Sequence, residues 1–263
     1  MQPHILYVYA IGRAGHPMPA TTVEVIDGTD VLRSIEAAGL TAFFTPVDAV
    51  EFSQPVIDAR GRDLDWLGAL GYRHQAVMTA LMHGGTIIPL RAFTLFAGEE
   101  SLRKHLEEER ERFTKALDRL DGKQEWTLRI EFEPNVWSEA LLRRVEPLRE
   151  LSNQLDSAAP GKAFLLRKKI DEERKRASRE AEQQVVAEVE DAIVKKLACE
   201  AVAESRQQRN GGFPQITVLI NRDEDAVLQE LREELRTRYG GDGVTVALTG
   251  PWPPYTFATV SDE

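Results

Sequence analysis

A chain of 263 residues with 43 acidic against 33 basic side chains, a formal net charge of −10, is long enough for two small cores. That charge repels phosphate backbones and disfavours nucleic acid as a partner. No apolar run approaches the roughly 20 residues of a membrane helix, and MQPHILYVYAIGR at the start lacks the basic flank and small-residue cleavage site of a signal peptide. The reading is a cytoplasmic protein with no membrane partner. Cys199 is the only cysteine, which rules out an internal disulfide and a multi-cysteine zinc site.

In chain order, ILYVYAI (Ile5 to Ile11) is a compact apolar run ending in a Gly/Pro loop and is predicted as a strand. TAFFTPV (Thr41 to Val47) is predicted as a second. Leu64, Leu67, Leu70, Val77, Met78, Leu81 and Met82 keep helical spacing up to Gly84 and Gly85. The strand TIIPL follows. Leu102, Leu106, Phe113, Leu117 and Leu120 lie on one stripe of a helix predicted over Glu99 to Leu120, closed by Asp121 and Gly122. EWTLRIEF (Glu125 to Phe132) alternates as a half-buried strand. Residues 1–135 are thus expected to form an α+β domain with helices on an antiparallel sheet.

Val136 to Leu155 is helical in pattern but contains Pro147, and SAAPG supplies a turn, so 136–160 is read as a connecting helical segment. Beyond it, Lys162 to about Gln208 contains no glycine or proline, and Ala177, Ala181, Val185, Val189, Ile193, Leu197 and Ala201 recur every fourth residue. One helix of about 65–70 Å is predicted at 1.5 Å per residue. Its apolar C-terminal half should pack and its charged N-terminal half should project or bridge. PQITVLINR is a strand, DEDAVLQELREELRTRYGG an amphipathic helix with a glycine stop, and VTVALTG a last strand. Residues 161–263 are therefore expected to form a second α+β domain, ferredoxin-like and with fewer strands than the first.

Motifs that carry chemistry are sparse. His4, His16, His74, His83 and His105 lie on separate elements with no i,i+4 pair, so no metal site is implied. GRAG and HGGT lack the spacing and the lysine of a phosphate loop, no GxSxG elbow is present, and the acidic neighbour Glu200 does not activate Cys199. No catalytic residue, cofactor site or metal ligand is assigned, and the chain is read as a non-enzyme. The densest cationic cluster, Arg167, Lys168, Lys169, Arg174, Lys175 and Arg176, is interleaved with Asp171, Glu172 and Glu173 and has no aromatic for base stacking. It reads as a solvated helix face held by i,i+4 pairs, or as a polar partner surface.

YVYAI near the start, IIPLRAFTLF (Ile87 to Phe96), EWTLRI (Glu125 to Ile130), GKAFLLRKK (Gly161 to Lys169) and GPWPPYTF (Gly250 to Phe257) occur in an order that resembles the gas vesicle accessory proteins of the F/L family. The last of these is the most specific. The resemblance singles out Pro89, Leu90, Arg91, Trp126, Gly161, Gly250, Pro251, Trp252, Pro253, Pro254, Tyr255 and Phe257 as family-motif residues, structural or partner-binding. Two positions depart from it. Ala92 and Phe93 stand where the family usually has Phe-Gly, so the backbone is expected to turn differently there, and Phe164 stands where tyrosine is common.

The resemblance implies a two-domain, non-enzymatic protein of the cytoplasm and the gas vesicle, without cofactors, needed to build these gas-filled shells. Its implied partners are the small hydrophobic shell protein and other accessory proteins. The alternative is a minor structural component of the finished shell, on its gas-facing side. GPWPPYTFA itself cannot be an ordinary helix or central strand, because proline fixes φ and lacks a donor. It is read as a rigid turn off the last strand, after which Tyr255 and Phe257 lie back on the second domain.

Overall fold

The computed structural model describes residues 4–28, 31–197, 199–204 and 213–258, the backbone alone over 200–204. By its internal contacts the chain divides into two units, one comprising the residues up to Glu125 together with those from Pro251 on, the other Trp126–Gly250.

In the first unit, β1 (His4–Arg13), β2 (Arg33–Ala37), β3 (Leu40–Asp48), β4 (Ile87–Pro89) and β5 (Leu95–Phe96) form a sheet of order β2-β3-β1-β4, with β5 also paired to β1. Every pairing is antiparallel. Tyr9 is an extra residue in β1, opposite the step from Phe44 to Phe43. Such a bulge re-aims a side chain, and the Tyr7 and Tyr9 rings meet in the same core with centroids 5.0 Å apart. Four helices complete the unit: α1 (Gln54–Arg60), α2 (Leu64–Gly84), α3 (Glu99–Glu108) and α4 (Arg110–Leu120). Asp63 caps α2 by accepting from the Trp66 amide at 3.0 Å, and Leu70, His74, Val77, Met78 and Leu81 form its buried face.

The second unit runs β6 (Lys123–Phe132), α5 (Pro134–Arg144), α6 (Glu146–Asp156), α7 (Pro160–Lys196), β7 (Glu200–Glu204), β8 (Gln215–Asn221), α8 (Asp225–Tyr239), β9 (Val244–Trp252). Its sheet has the order β7-β8-β6-β9. The four-residue stripe predicted on the long helix is real: Ala177, Ala181, Val185, Val189 and Ile193 are buried in one core with Leu128, Ile130, Val218, Leu231 and Leu235.

The α+β class and the two small antiparallel sheets agree with the sequence reading; several boundaries do not. The sequence places residues 125–132 in the first sheet, but β6 pairs within the second, because Trp126, Leu128 and Ile130 face that core. In the first sheet β2 and β5 make up the strand number; RSIEA is short and polar, and Leu95–Phe96 too short to show a period. The helix predicted over 99–120 breaks at Glu109, whose φ of −97° and ψ of 11° leave the helical region without any proline or glycine nearby. The 136–160 segment is not a connector. It forms α5 and α6, whose Trp137, Leu141, Leu148 and Leu151 are buried, and Pro147 opens α6 instead of interrupting a helix.

Nor does the long helix reach Gln208. It ends at Lys196 after 37 residues, about 55 Å, and Glu200–Glu204 turn into a strand paired antiparallel with β8. EAVAE, three apolar residues between two glutamates, is too short to show either period, so the run of residues without glycine or proline hid the strand. The charged half of α7 does not project either: Leu166 and Ile170 are buried in the core that holds Leu148 and Leu151.

Candidate functional site

Two tyrosines on a buried strand need partners for their hydroxyls, since an unpaired buried O–H is costly. In the first unit both find them. Tyr7 Oη is hydrogen-bonded to His74 Nδ1 at 2.9 Å, and Tyr9 donates to Thr45 Oγ1 at 3.2 Å while accepting from the Ile26 amide at 3.0 Å. The other ring nitrogen of His74, Nε2, meets Tyr255 Oη at 2.9 Å. One histidine in the middle of α2 therefore joins β1 to the residues near the end of the chain.

Burial holds His74 down to about 4, the Leu90 backbone opposing it, so the ring is neutral at pH 7. One nitrogen then carries the proton and the other accepts, and each tyrosine takes the complementary role. Desolvation pushes Tyr9 and Tyr255 up to about 12 and Tyr7 higher still. None of these groups is poised to titrate near neutrality, as a general acid or base would be.

Residues 251–258 form a strap on the first unit. The turn expected at Gly250 is not there: β9 runs on to Trp252, and Gly250, at φ 140°, adopts within it a conformation that favours glycine. Pro253, Pro254 and Phe257 are buried, while Pro251 and Trp252 remain exposed. Thr256 donates its amide to Glu125 Oε2 and its hydroxyl to Glu125 Oε1, both at 3.0 Å, and Glu125 is itself buried. Arg119 lies 5.8 Å from the Phe257 ring and donates to the Phe257 carbonyl at 3.4 Å. Tyr255 and Phe257 thus lie back on a sheet-and-helix core as the sequence suggests, but on the first unit and not on the second. The reason is chemical: the partners these side chains need, His74 and Glu125, are in the first unit. Thr256→Ala would leave one oxygen of buried Glu125 a donor short and is expected to lower unfolding free energy by about 1–3 kcal/mol, measurable by urea denaturation.

The remaining motif residues divide between core and surface. Pro89 is buried in β4, Leu90 donates its amide to the Tyr9 carbonyl at 2.8 Å, and Arg91 is exposed at a turn that its carbonyl holds by accepting from Thr94 Oγ1 at 2.7 Å. Phe93, which replaces the family's usual glycine, adopts φ 64°, the region glycine favours. Its ring stacks on Trp66 at 5.8 Å and edges onto Tyr7 at 6.4 Å, so side-chain packing offsets the backbone strain. Trp126 is core, and its buried Nε1 has no hydrogen-bond partner among the described residues. Gly161 sits exposed in the first turn of α7.

The cationic cluster divides in the same way. Arg167, Lys168, Lys169, Lys175 and Arg176 are exposed, whereas Arg174 is partly covered and its buried Nε has no hydrogen-bond partner among the described residues. Lys168 pairs with Glu172 at 3.9 Å, Arg174 with Asp171 at 3.9 Å, and Arg176 with Glu173. Among the described residues Arg167, Lys169 and Lys175 form no ion pair. Next to them Phe164 and Leu165 are exposed on the same helix. A second apolar feature is on α2, where Leu64 is 81% and Tyr72 74% exposed.

A depression of about 430 Å³ in the second unit is lined by Arg144, Gln184, Arg238, Tyr239 and Asp242. Its charges are paired: Arg144 with Asp242 at 2.8 Å, and Arg238 with Glu188, outside the lining, at 3.3 Å, while Tyr239 donates to the same Glu188 at 2.6 Å. Among the described residues no group of three or more histidines, cysteines and carboxylates is placed to hold a metal ion. Burial, with Glu224 adding to it, pushes the Cys199 thiol up, away from the reactive thiolate.

Residues 5–259 match the family described as Gas vesicle synthesis protein GvpL/GvpF. The chain belongs to that family. It is 30% identical to gas vesicle protein L of Streptomyces sp. (strain CB03234) over 98% of this chain and 94% of that one. Against gas vesicle protein F of the same strain the identity is 26%, over 95% and 98%. Its fold is similar to the crystal structure of GvpF from Anabaena sp. PCC7120, with a TM-score of 0.72 at 16% identity over 98% of this chain and 99% of that one. GvpF from Microcystis aeruginosa gives 0.65 at 17%, over 97% and 99%. Family membership gives the chain a gas vesicle role, and no described helix is long and apolar enough to cross a membrane.

Sequence reasoning singles out the strap but misses His74, Tyr7 and Glu125. A signal for the first two is present: two hydroxyl-bearing rings at i and i+2 on an apolar strand call for a buried polar partner.

Proposed function

We propose that this chain is a non-enzymatic assembly factor that binds the small hydrophobic shell protein while gas vesicles form. The observation that carries the reading is the match to gas vesicle synthesis proteins over residues 5–259; the paired charges of the depression and the burial of the hub residues His74 and Tyr7 favour a binding role over catalysis. A shell subunit whose apolar face will line a gas space must be kept from aggregating in water, and an accessory protein does so by covering that face. The exposed Leu64 and Tyr72 on α2 offer a surface for it, with helix backbone and small residues such as Gly68 between them. The cations without an ion pair, Arg167, Lys169 and Lys175, together with Lys168 and Arg176, are assigned to polar contact with other accessory proteins.

Co-purification of the tagged chain with the shell subunit tests the first contact. Retention is expected, and Leu64→Asp with Tyr72→Asp should reduce it at least tenfold while leaving the melting temperature unchanged, since both side chains are exposed. No retention by the unaltered chain would overturn the reading. Mass spectrometry of washed vesicles separates an assembly factor, which is lost, from a shell component, which stays.

A further inference from the structure

The strap has the properties of a bound peptide more than those of a packed strand. After its first two residues, which end β9, it pairs among the described residues with no strand of the first sheet; what fixes it is Tyr255 on His74, the Thr256 amide and hydroxyl on Glu125, and Phe257 beneath Arg119. Its own shape is local. The Tyr255 amide donates to the Pro253 carbonyl at 2.7 Å and the Ala258 amide to the Pro254 carbonyl at 2.8 Å, while the proline rings fix φ. A peptide so constrained loses little freedom on docking. It is joined to the other unit through β9, in which Gly250 adopts a positive φ that favours glycine.

We propose that the first unit carries a peptide-binding groove for the sequence Pro-Pro-Tyr-Thr-Phe, formed around His74, Glu125 and Arg119, and that a second copy of this chain can fill it by exchanging straps. Each contact made within one chain is available unchanged between two, because His74, Arg119 and Glu125 precede the second unit in the chain whereas Tyr255, Thr256 and Phe257 follow it. Exchange of an identical element in this manner yields dimers without any new complementary surface. The covalently attached strap wins at low protein concentration because its effective concentration is high.

Full-length variants test both halves. Thr256→Ala with Phe257→Ala weakens the attached strap and leaves the groove intact; Glu125→Ala damages the groove and leaves the strap intact. A labelled synthetic peptide of residues 250–258 should bind the strap variant at least tenfold more tightly than the unaltered chain, by fluorescence anisotropy, because the unaltered groove is occupied. It should not bind the Glu125→Ala chain. Mixed in equal amounts, the strap variant and the groove variant should form a pair of about twice the 29.6 kDa chain mass by light scattering, while each alone stays at one. If circular dichroism shows the double variant unfolded, Thr256→Ala alone serves as the open-groove chain. Absence of peptide binding to a folded open-groove chain overturns the groove, and peptide binding without pairing overturns exchange between copies.

Discussion

Gly243→Ala is expected to destabilise the second unit by about 2–5 kcal/mol, lowering both the urea midpoint and the melting temperature. Two independent costs add. Gly243 closes the turn after α8 at φ 75° and ψ 23°, a left-handed conformation that costs an L-residue roughly 1–2 kcal/mol. An added Cβ would also lie 2.6 Å from Val136 Cβ and 3.2 Å from the Trp137 amide. Relief requires α5 to move, and overpacking of this kind costs about 1–3 kcal/mol. The shift is resisted, because the Gly243 carbonyl accepts from the Glu133 amide at 2.8 Å and Trp137 is buried. Gly240→Ala is the control in the same turn: its φ is −59° and a methyl group there would meet nothing within 4 Å, so a change within about 0.5 kcal/mol is expected. Equal effects at the two glycines would sink the steric account.

Acid is expected to unfold the first unit through His74 before carboxylates dominate. A histidine in the unfolded chain titrates near 6.5, and folded His74 is held down to about 4. At pH 7.5 neither state binds the proton and the full stability is present. As pH falls below about 6.5 the unfolded chain takes up a proton that the folded chain refuses, so stability drops until the folded group also titrates near 4. The difference between the two values corresponds to about 3 kcal/mol in total, of which about 2 kcal/mol is lost by pH 5. His16, also lowered by burial, contributes with the same sign. His74→Gln can still bridge Tyr7 and Tyr255 and isolates the effect. Its unfolding free energy should fall less steeply between pH 6.5 and 5, at a cost of about 1–2 kcal/mol at pH 7.5. Parallel pH profiles for the two chains would assign the acid sensitivity elsewhere.

What the sequence revealed and what it hid follow from the range of the interactions. The period on Ala177 to Ile193, the alternation in EWTLRIEF and the glycine stops after α2 and α8 are local signals, and each marks a real element. The ownership of β6 was not legible, because alternation says which side chains are buried but not which sheet they face. The break at Glu109 leaves no trace, since the apolar stripe of α3 resumes in register at Phe113. The hub was invisible for a different reason: its bonds join residues 67 and 181 positions apart, and a lone histidine on a helix carries no mark of two distant hydroxyls. The strap was identifiable as a family signature, yet its destination depended on His74 and Glu125, which no motif names.

Because residues 251–258 complete a unit that otherwise ends at Glu125, the second unit is an insertion in the first. On the ribosome this fixes an order. The inserted unit can close as soon as Gly250 has emerged, whereas the unit translated first waits, with the His74 bond to Tyr255 and the Glu125 bonds to Thr256 still unmade, for residues 251–258. Emergence of residues 251–258, and not of its own helices, is therefore the event that seals the N-terminal fold.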